Sequence, residues 1–126
     1  MPVVVWIALG GAAGTVARYY VSAAMVRLVG PALPAGTFTV NLVGSFLLGV
    51  LFAIGSGSDR IGPTVMLALS TGFMGGFTTY STFSLETFKL AQAGEWGAAA
   101  GYVGLTVVSA FAGTAAGYAL GARAVG

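Results

Sequence analysis

Long apolar runs, separated by brief polar punctuation, organise this chain. They extend approximately from Val3 to Leu28, Ala35 to Gly55, Ile61 to Phe88 and Trp96 to Ala122. Each reaches the length of about 20 mostly apolar residues that a helix needs to cross a bilayer. The pattern therefore predicts an all-α integral membrane protein with four transmembrane helices, forming one domain over residues 1–126. The connections Gly30-Pro31-Ala32-Leu33-Pro34, Gly55-Ser56-Gly57-Ser58-Asp59-Arg60 and Gln92-Ala93-Gly94-Glu95 are short and rich in turn formers. No stretch reads as a linker or a soluble domain. The N-terminus has no basic leader and Trp6 opens a long apolar run, so the first span is expected to be retained.

The third run breaks its own pattern. Gly72-Phe73-Met74-Gly75-Gly76-Phe77-Thr78-Thr79-Tyr80-Ser81-Thr82-Phe83-Ser84 gathers glycines and hydroxyls inside an uncharged stretch. Hydrocarbon cannot satisfy freed backbone groups, so irregular or polar backbone at bilayer depth survives only inside protein or along a water-filled path. The segment is expected to mark a conduction or binding site. Glycine in a helix interior costs about 1 kcal/mol relative to alanine, and the pair Gly75-Gly76 beside Thr78-Thr79 predicts a break in the third helix. A break would free carbonyl oxygens for a hard cation; a simple kink is the other reading.

Composition sharpens the membrane assignment. Charged residues are 6% of the chain, against roughly a quarter in soluble domains. There is no Cys, hence no disulfide framework or thiolate metal site, and no His to relay protons or bind transition metals. The few charges near span ends divide evenly. If both termini share a side with the second connection, that side holds Arg60 and Arg123, and the opposite side holds Arg27 and Lys89. Lysine and arginine bias sets orientation, so this balance predicts dual insertion. Arg18 lies within the first span and does not vote.

Small residues recur at helical spacing: Ser109, Gly113, Gly117 and Gly121 in the fourth span, Gly10 and Gly14 in the first. Such stripes let helices approach closely, either within one subunit or between two. Four helices are too few to enclose and seal a selective path, so at least a homodimer is expected.

Polar side chains inside the spans carry the chemistry. Asn41 is flanked at four-residue spacing by Thr37 and Ser45, which puts all three on one helix face. Its amide can donate two hydrogen bonds to an anion or join two helices. Thr78, Thr79, Ser81, Thr82 and Ser84 supply hydroxyls, while Tyr80 and Phe83, three apart, face the same way. Aromatic edges are positive and can favour a small anion, although a ring pair at this spacing also simply fills space. Thr106, Ser109 and Thr114 add hydroxyls in the fourth span, together with Tyr102.

Three motifs in order, Gly10-Gly11-Ala12-Ala13-Gly14-Thr15-Val16-Ala17-Arg18-Tyr19, Gly36-Thr37-Phe38-Thr39-Val40-Asn41-Leu42-Val43-Gly44 and Gly72 through Phe83, make the chain resemble the Fluc (CrcB) family of fluoride channels over nearly its whole length. The resemblance implies a passive fluoride channel in the cell (inner) membrane. It also implies an antiparallel, dual-topology homodimer with two pores that exports fluoride and lowers its toxicity. The resemblance further implies a structural sodium ion at the dimer interface, held by the backbone carbonyls of Gly75 and Thr78. Asn41 matches the pore amide, and Phe83 a pore phenylalanine. Ser81, Thr82 and Ser84 match a hydroxyl track, with Thr114 a candidate pore hydroxyl. Glu86 matches a carboxylate near a pore mouth, and Arg18 an arginine that makes a vestibule electropositive. Two departures stand out. Tyr80 occupies a position where the family usually has phenylalanine, and Ala110 one where serine is common, which moves the inner hydroxyl contact to Ser109, Thr106 or Thr114.

Other classes fit less well. A proton-coupled small multidrug transporter shares the size and span number but needs an acid in the first span, where this chain has Arg18 and none. A purely structural membrane subunit explains glycine stripes but not the hydroxyls after Gly76. Catalysis is poorly supported, since hydroxyl nucleophiles need a paired base and Lys89, Glu86 and Asp59 are the only nearby candidates. The expected partners are fluoride, the lipid bilayer and a second copy, with no nucleic acid.

Overall fold

A computed structural model of the chain describes residues 2–126 and is entirely helical. Helix α1 runs Val3–Val29 and ends at Gly30, whose φ of 84° is a conformation glycine adopts without strain. Helix α2 covers Ala35–Gly57. Helix α3, Pro63–Leu67, starts with proline in its first turn, where a missing N–H costs nothing. It continues directly into a π-helical segment, Ala68–Met74, and a single further turn, α4 at Gly75–Phe77. After Thr78 and Thr79, helix α5 covers Tyr80–Gln92, and a turn through Gly94 at φ 80° leads to α6, Trp96–Val125.

Helices α1, α2 and α6 are each long and apolar enough to cross a membrane. Their lipid-compatible character appears in the exposure pattern: Leu28, Phe111 and Val108 point outward, whereas the buried set is small, led by Val40 and Ala53. Outward apolar faces suit hydrocarbon, where burial in protein gains nothing over burial in lipid.

Backbone approach therefore holds the helices together. Gly117 and Gly121 of α6 lie against the Phe46 and Val50 carbonyls of α2, and Gly49 of α2 lies against the Thr114 carbonyl in return. Gly14 of α1 meets the Phe73 backbone, and Gly72 meets Ile7, with room for a Cβ at neither. Both small-residue stripes thus serve packing inside the subunit.

The third run departs from expectation in two ways. The break falls at Thr78-Thr79, where ψ is 163° and 121°, while Gly75 and Gly76 remain helical. The glycines serve proximity instead: a Cβ on Gly76 would stand 2.5 Å from the Gly11 carbonyl of α1. The second departure is the π-helical segment upstream, a widened turn that tends to occur at functional positions. The other spans match the sequence reading to within a few residues at their C-terminal ends.

Candidate functional site

The break has its own capping system. Thr79 is the N-cap of α5, its hydroxyl oxygen accepting from the Thr82 N–H at 3.2 Å, the arrangement that satisfies one orphan donor at a helix start. Asn41, projecting from α2, forms a reciprocal pair with Thr79. Its Nδ2 donates to the Thr79 carbonyl at 2.9 Å, and the Thr79 N–H donates to its Oδ1 at 2.8 Å. From α1, the Arg18 Nε donates to the Gly76 carbonyl at 2.9 Å. The Thr78 hydroxyl turns back to donate to the Met74 carbonyl, also at 2.9 Å. Among the described residues, no hydrogen bond from outside the helices reaches the carbonyls of Gly75 or Thr78.

Two cavities flank this knot. The larger, about 790 Å³, is lined by Arg18, Thr37, Thr82, Glu86 and Lys89 together with the turn at Pro31–Pro34. The smaller, about 390 Å³, carries no charge and is lined by Asn41, Gly75, Thr78, Tyr80, Phe83 and Thr106 among others. Their linings meet at a hydroxyl pair. Thr82 faces the larger cavity and Thr79 the smaller, and the Thr79 hydroxyl donates to that of Thr82 at 3.1 Å.

Aromatic edges line the same region. Phe83 makes edge contacts with Tyr80, ring centres 6.1 Å apart, and with Tyr102 at 5.1 Å. The Tyr102 hydroxyl donates to Glu86 at 3.0 Å, fixing that carboxylate near the larger cavity. Tyr80 itself is 81% exposed in the single chain.

The residues predicted from sequence thus separate into groups. Asn41, Gly75, Thr78, Tyr80 and Phe83 gather at the smaller cavity, and Arg18, Thr82 and Glu86 at the larger. Ser81 and Ser84 are exposed and line neither. Thr114 also lines neither, since its hydroxyl lies between the carbonyls of Ser45 at 3.2 Å and Ala110 at 3.1 Å. Asn41 is not the free double donor that its position in the sequence suggests, because one amide hydrogen is committed to Thr79.

Two participants were underweighted in the sequence. Thr79 is the node of the break, and a threonine just before the first residue of α5 is a recognisable N-cap signal. Thr106 is buried beside the smaller cavity with its hydroxyl lacking any partner among the described residues. The sequence named it only as one of three hydroxyls, with Ser109 and Thr114, that could take over the inner contact where Ala110 stands.

Comparison with known proteins places this geometry among relatives. Residues 5–118 match the family model described as CrcB-like protein, Camphor Resistance (CrcB). The chain is similar to a protein of Sorangium cellulosum called fluoride-specific ion channel FluC, 48% identical over 103 residues that cover 82% of this chain and 81% of the relative. It is also similar to proteins of the same name from Cereibacter sphaeroides and Allorhizobium ampelinum. The first is 49% identical over 90% of this chain and 89% of the relative, the second 44% over 90% and 94%.

Proposed function

Because the chain belongs to the family of CrcB-like proteins, we propose that it is a fluoride-specific, passive ion channel of the cell membrane, exporting the ion from the cytoplasm. It is a multi-pass membrane protein and not an enzyme. The relatives that bear the name of a fluoride-specific ion channel support the substrate.

The observation that carries the mechanism is the hydroxyl pair of Thr79 and Thr82, where a charged cavity meets an uncharged, donor-lined one. Arg18 and Lys89 make the larger cavity a vestibule that raises local anion concentration. Within the smaller cavity, fluoride exchanges water for the remaining amide hydrogen of Asn41, the unpartnered hydroxyl of Thr106 and the ring edges of Phe83 and Tyr80. Fixed polar groups of this kind replace a hydration shell in selective pores. Ser81 and Ser84, exposed on the single chain, extend the hydroxyl track where a second copy closes the path.

The working unit has four spans per chain, the third composed of α3, the π-helical segment, α4 and α5 around the break. Two chains pair antiparallel and give two pores. The charge balance supports this assembly. Arg60 donates from its Nη1 to the Ala124 carbonyl at 3.3 Å, so it and Arg123 belong to one end, while Lys89 shares a cavity with the turn after α1, whose last helical turn carries Arg27, at the other. Tyr80 and Gly75, exposed on one chain, then lie where the partner completes the wall.

A sodium ion at the two-fold axis suits the donor set. The carbonyls of Gly75 and Thr78 are among those near the break that no side chain engages among the described residues, and no cluster of acidic side chains exists among those residues to favour a divalent ion. Two carbonyls from each chain supply neutral oxygens. The ion, when bound, contributes positive charge and holds the subunits together; it is not transported.

Expression in a bacterium lacking its own fluoride exporter tests the reading. Growth in fluoride-containing medium should be restored by the wild-type chain and not by Phe83→Ile. Equal fluoride sensitivity with and without the well-expressed wild-type chain would contradict it.

A further inference from the structure

We propose that Arg18 is a positioning residue for the break in the third span, in addition to the charge it brings to the vestibule. A charged side chain in the middle of a span is costly, and such residues usually pair with one another or with backbone carbonyls. The Arg18 Nε is committed to the Gly76 carbonyl, 58 positions away in sequence, at 2.9 Å. Gly76 lies two residues before the break. Its carbonyl faces α1 across a close backbone approach, since a Cβ on Gly76 would meet both the Gly11 carbonyl and the Thr15 N–H within 3.0 Å.

The backbone carbonyls from Gly75 to Thr79 flank the break. Arg18 takes that of Gly76 and Asn41 takes that of Thr79, which leaves those of Gly75, Phe77 and Thr78 without a side-chain donor among the described residues. The two clamps come from different helices and act on opposite sides of the break. Arg18 thus withdraws the Gly76 carbonyl from the available set and holds α4 against α1 while Asn41 holds the start of α5. What the remaining carbonyls are available for rests on the cation reading above; the clamp itself does not.

The chemistry of side-chain length separates this role from charge. Glutamine places an N–H donor at the position of the arginine Nε but carries no charge. Lysine keeps the charge but puts a methylene there. Methionine has neither.

Hydrogen exchange of purified protein, read on peptides covering Gly75 to Thr82, distinguishes them. Loss of the N–H donor to the Gly76 carbonyl should raise exchange about tenfold in Arg18→Lys and Arg18→Met, while Arg18→Gln, which keeps that donor, stays within about twofold of wild type. If the lysine and methionine variants yield no folded protein while the glutamine variant does, the same ranking holds. Arg18→Gln as loose as Arg18→Met, or Arg18→Lys as protected as wild type, would overturn the proposal. Thermal unfolding in sodium against a large organic cation provides a separate arm. The sodium-dependent shift of the wild type should persist in Arg18→Gln and vanish in Arg18→Met. A wild type with no sodium response, but with exchange following the predicted order, would remove the cation and leave the positioning role intact.

Discussion

Asn41 and Thr79, 38 positions apart, form a reciprocal pair of hydrogen bonds: Asn41 Nδ2 donates to the Thr79 carbonyl at 2.9 Å, and the Thr79 N–H donates to Asn41 Oδ1 at 2.8 Å. The side-chain amide acts as a surrogate peptide group. It satisfies the donor and the acceptor that the extended residue before α5 would otherwise leave bare at bilayer depth, where each unmet group costs several kcal/mol.

Replacement of Asn41 therefore has two consequences. Asn41→Asp retains an acceptor for the Thr79 N–H, sets a carboxylate against the Thr79 carbonyl, and places negative charge in the anion's path. Fluoride release should fall more than about tenfold, and stability should drop by about 1–3 kcal/mol. Flux assays on reconstituted protein and thermal denaturation in detergent measure the two effects. Unchanged stability with lost flux would assign Asn41 to the pore alone.

Thr106 should respond in the opposite sense. Its buried hydroxyl has no partner among the described residues, so Thr106→Val, nearly the same shape, removes an unmet polar group and should leave stability unchanged or raise it by up to about 2 kcal/mol. Fluoride release should nevertheless slow. Faster or equal release would show that the hydroxyl does not touch the ion.

The glycine contacts make a sharper structural prediction. Gly117→Ala drives a methyl into the Phe46 carbonyl and Gly14→Ala drives one into the Phe73 backbone; overpacking of this kind costs roughly 1–3 kcal/mol. Gly62→Ala meets nothing within 4 Å and has an ordinary φ of −72°, so it should be neutral or slightly stabilising. Melting temperatures of the three variants should order accordingly.

The long spans were legible because their signal is simple. About 20 apolar residues between turn formers admit few alternatives, and α1, α2 and α6 follow. Location of the break was not, because Gly75-Gly76 looks like a point of unwinding while its real constraint, the Gly11 backbone of α1, is remote in sequence. The pairing of Asn41 with Thr79 and of Arg18 with Gly76 was hidden for the same reason. Periodicity identifies a face, but not the group opposite it. Thr114 illustrates this: it shares the hydroxyl chemistry of a pore residue, yet its register on α6 directs it to the Ser45 carbonyl.

Orientation offers a prediction independent of the pore. With Arg60 and Arg123 balanced against Arg27 and Lys89, reporters fused to the C-terminus should register on both sides of the membrane. Two lysines added beside Arg60 should bias insertion to one side and depress activity, and co-expression with a chain biased the other way should restore it. A single native orientation with full activity would remove the antiparallel dimer.

Selective conduction is tested most directly by anion release from liposomes that contain the purified chain, with fluoride and chloride measured in parallel by ion-selective electrodes. Fixed donors sized for a small hard anion predict rapid fluoride release and chloride release indistinguishable from empty liposomes. Fluoride release no faster than from empty liposomes, or chloride release at a comparable rate, would contradict the account.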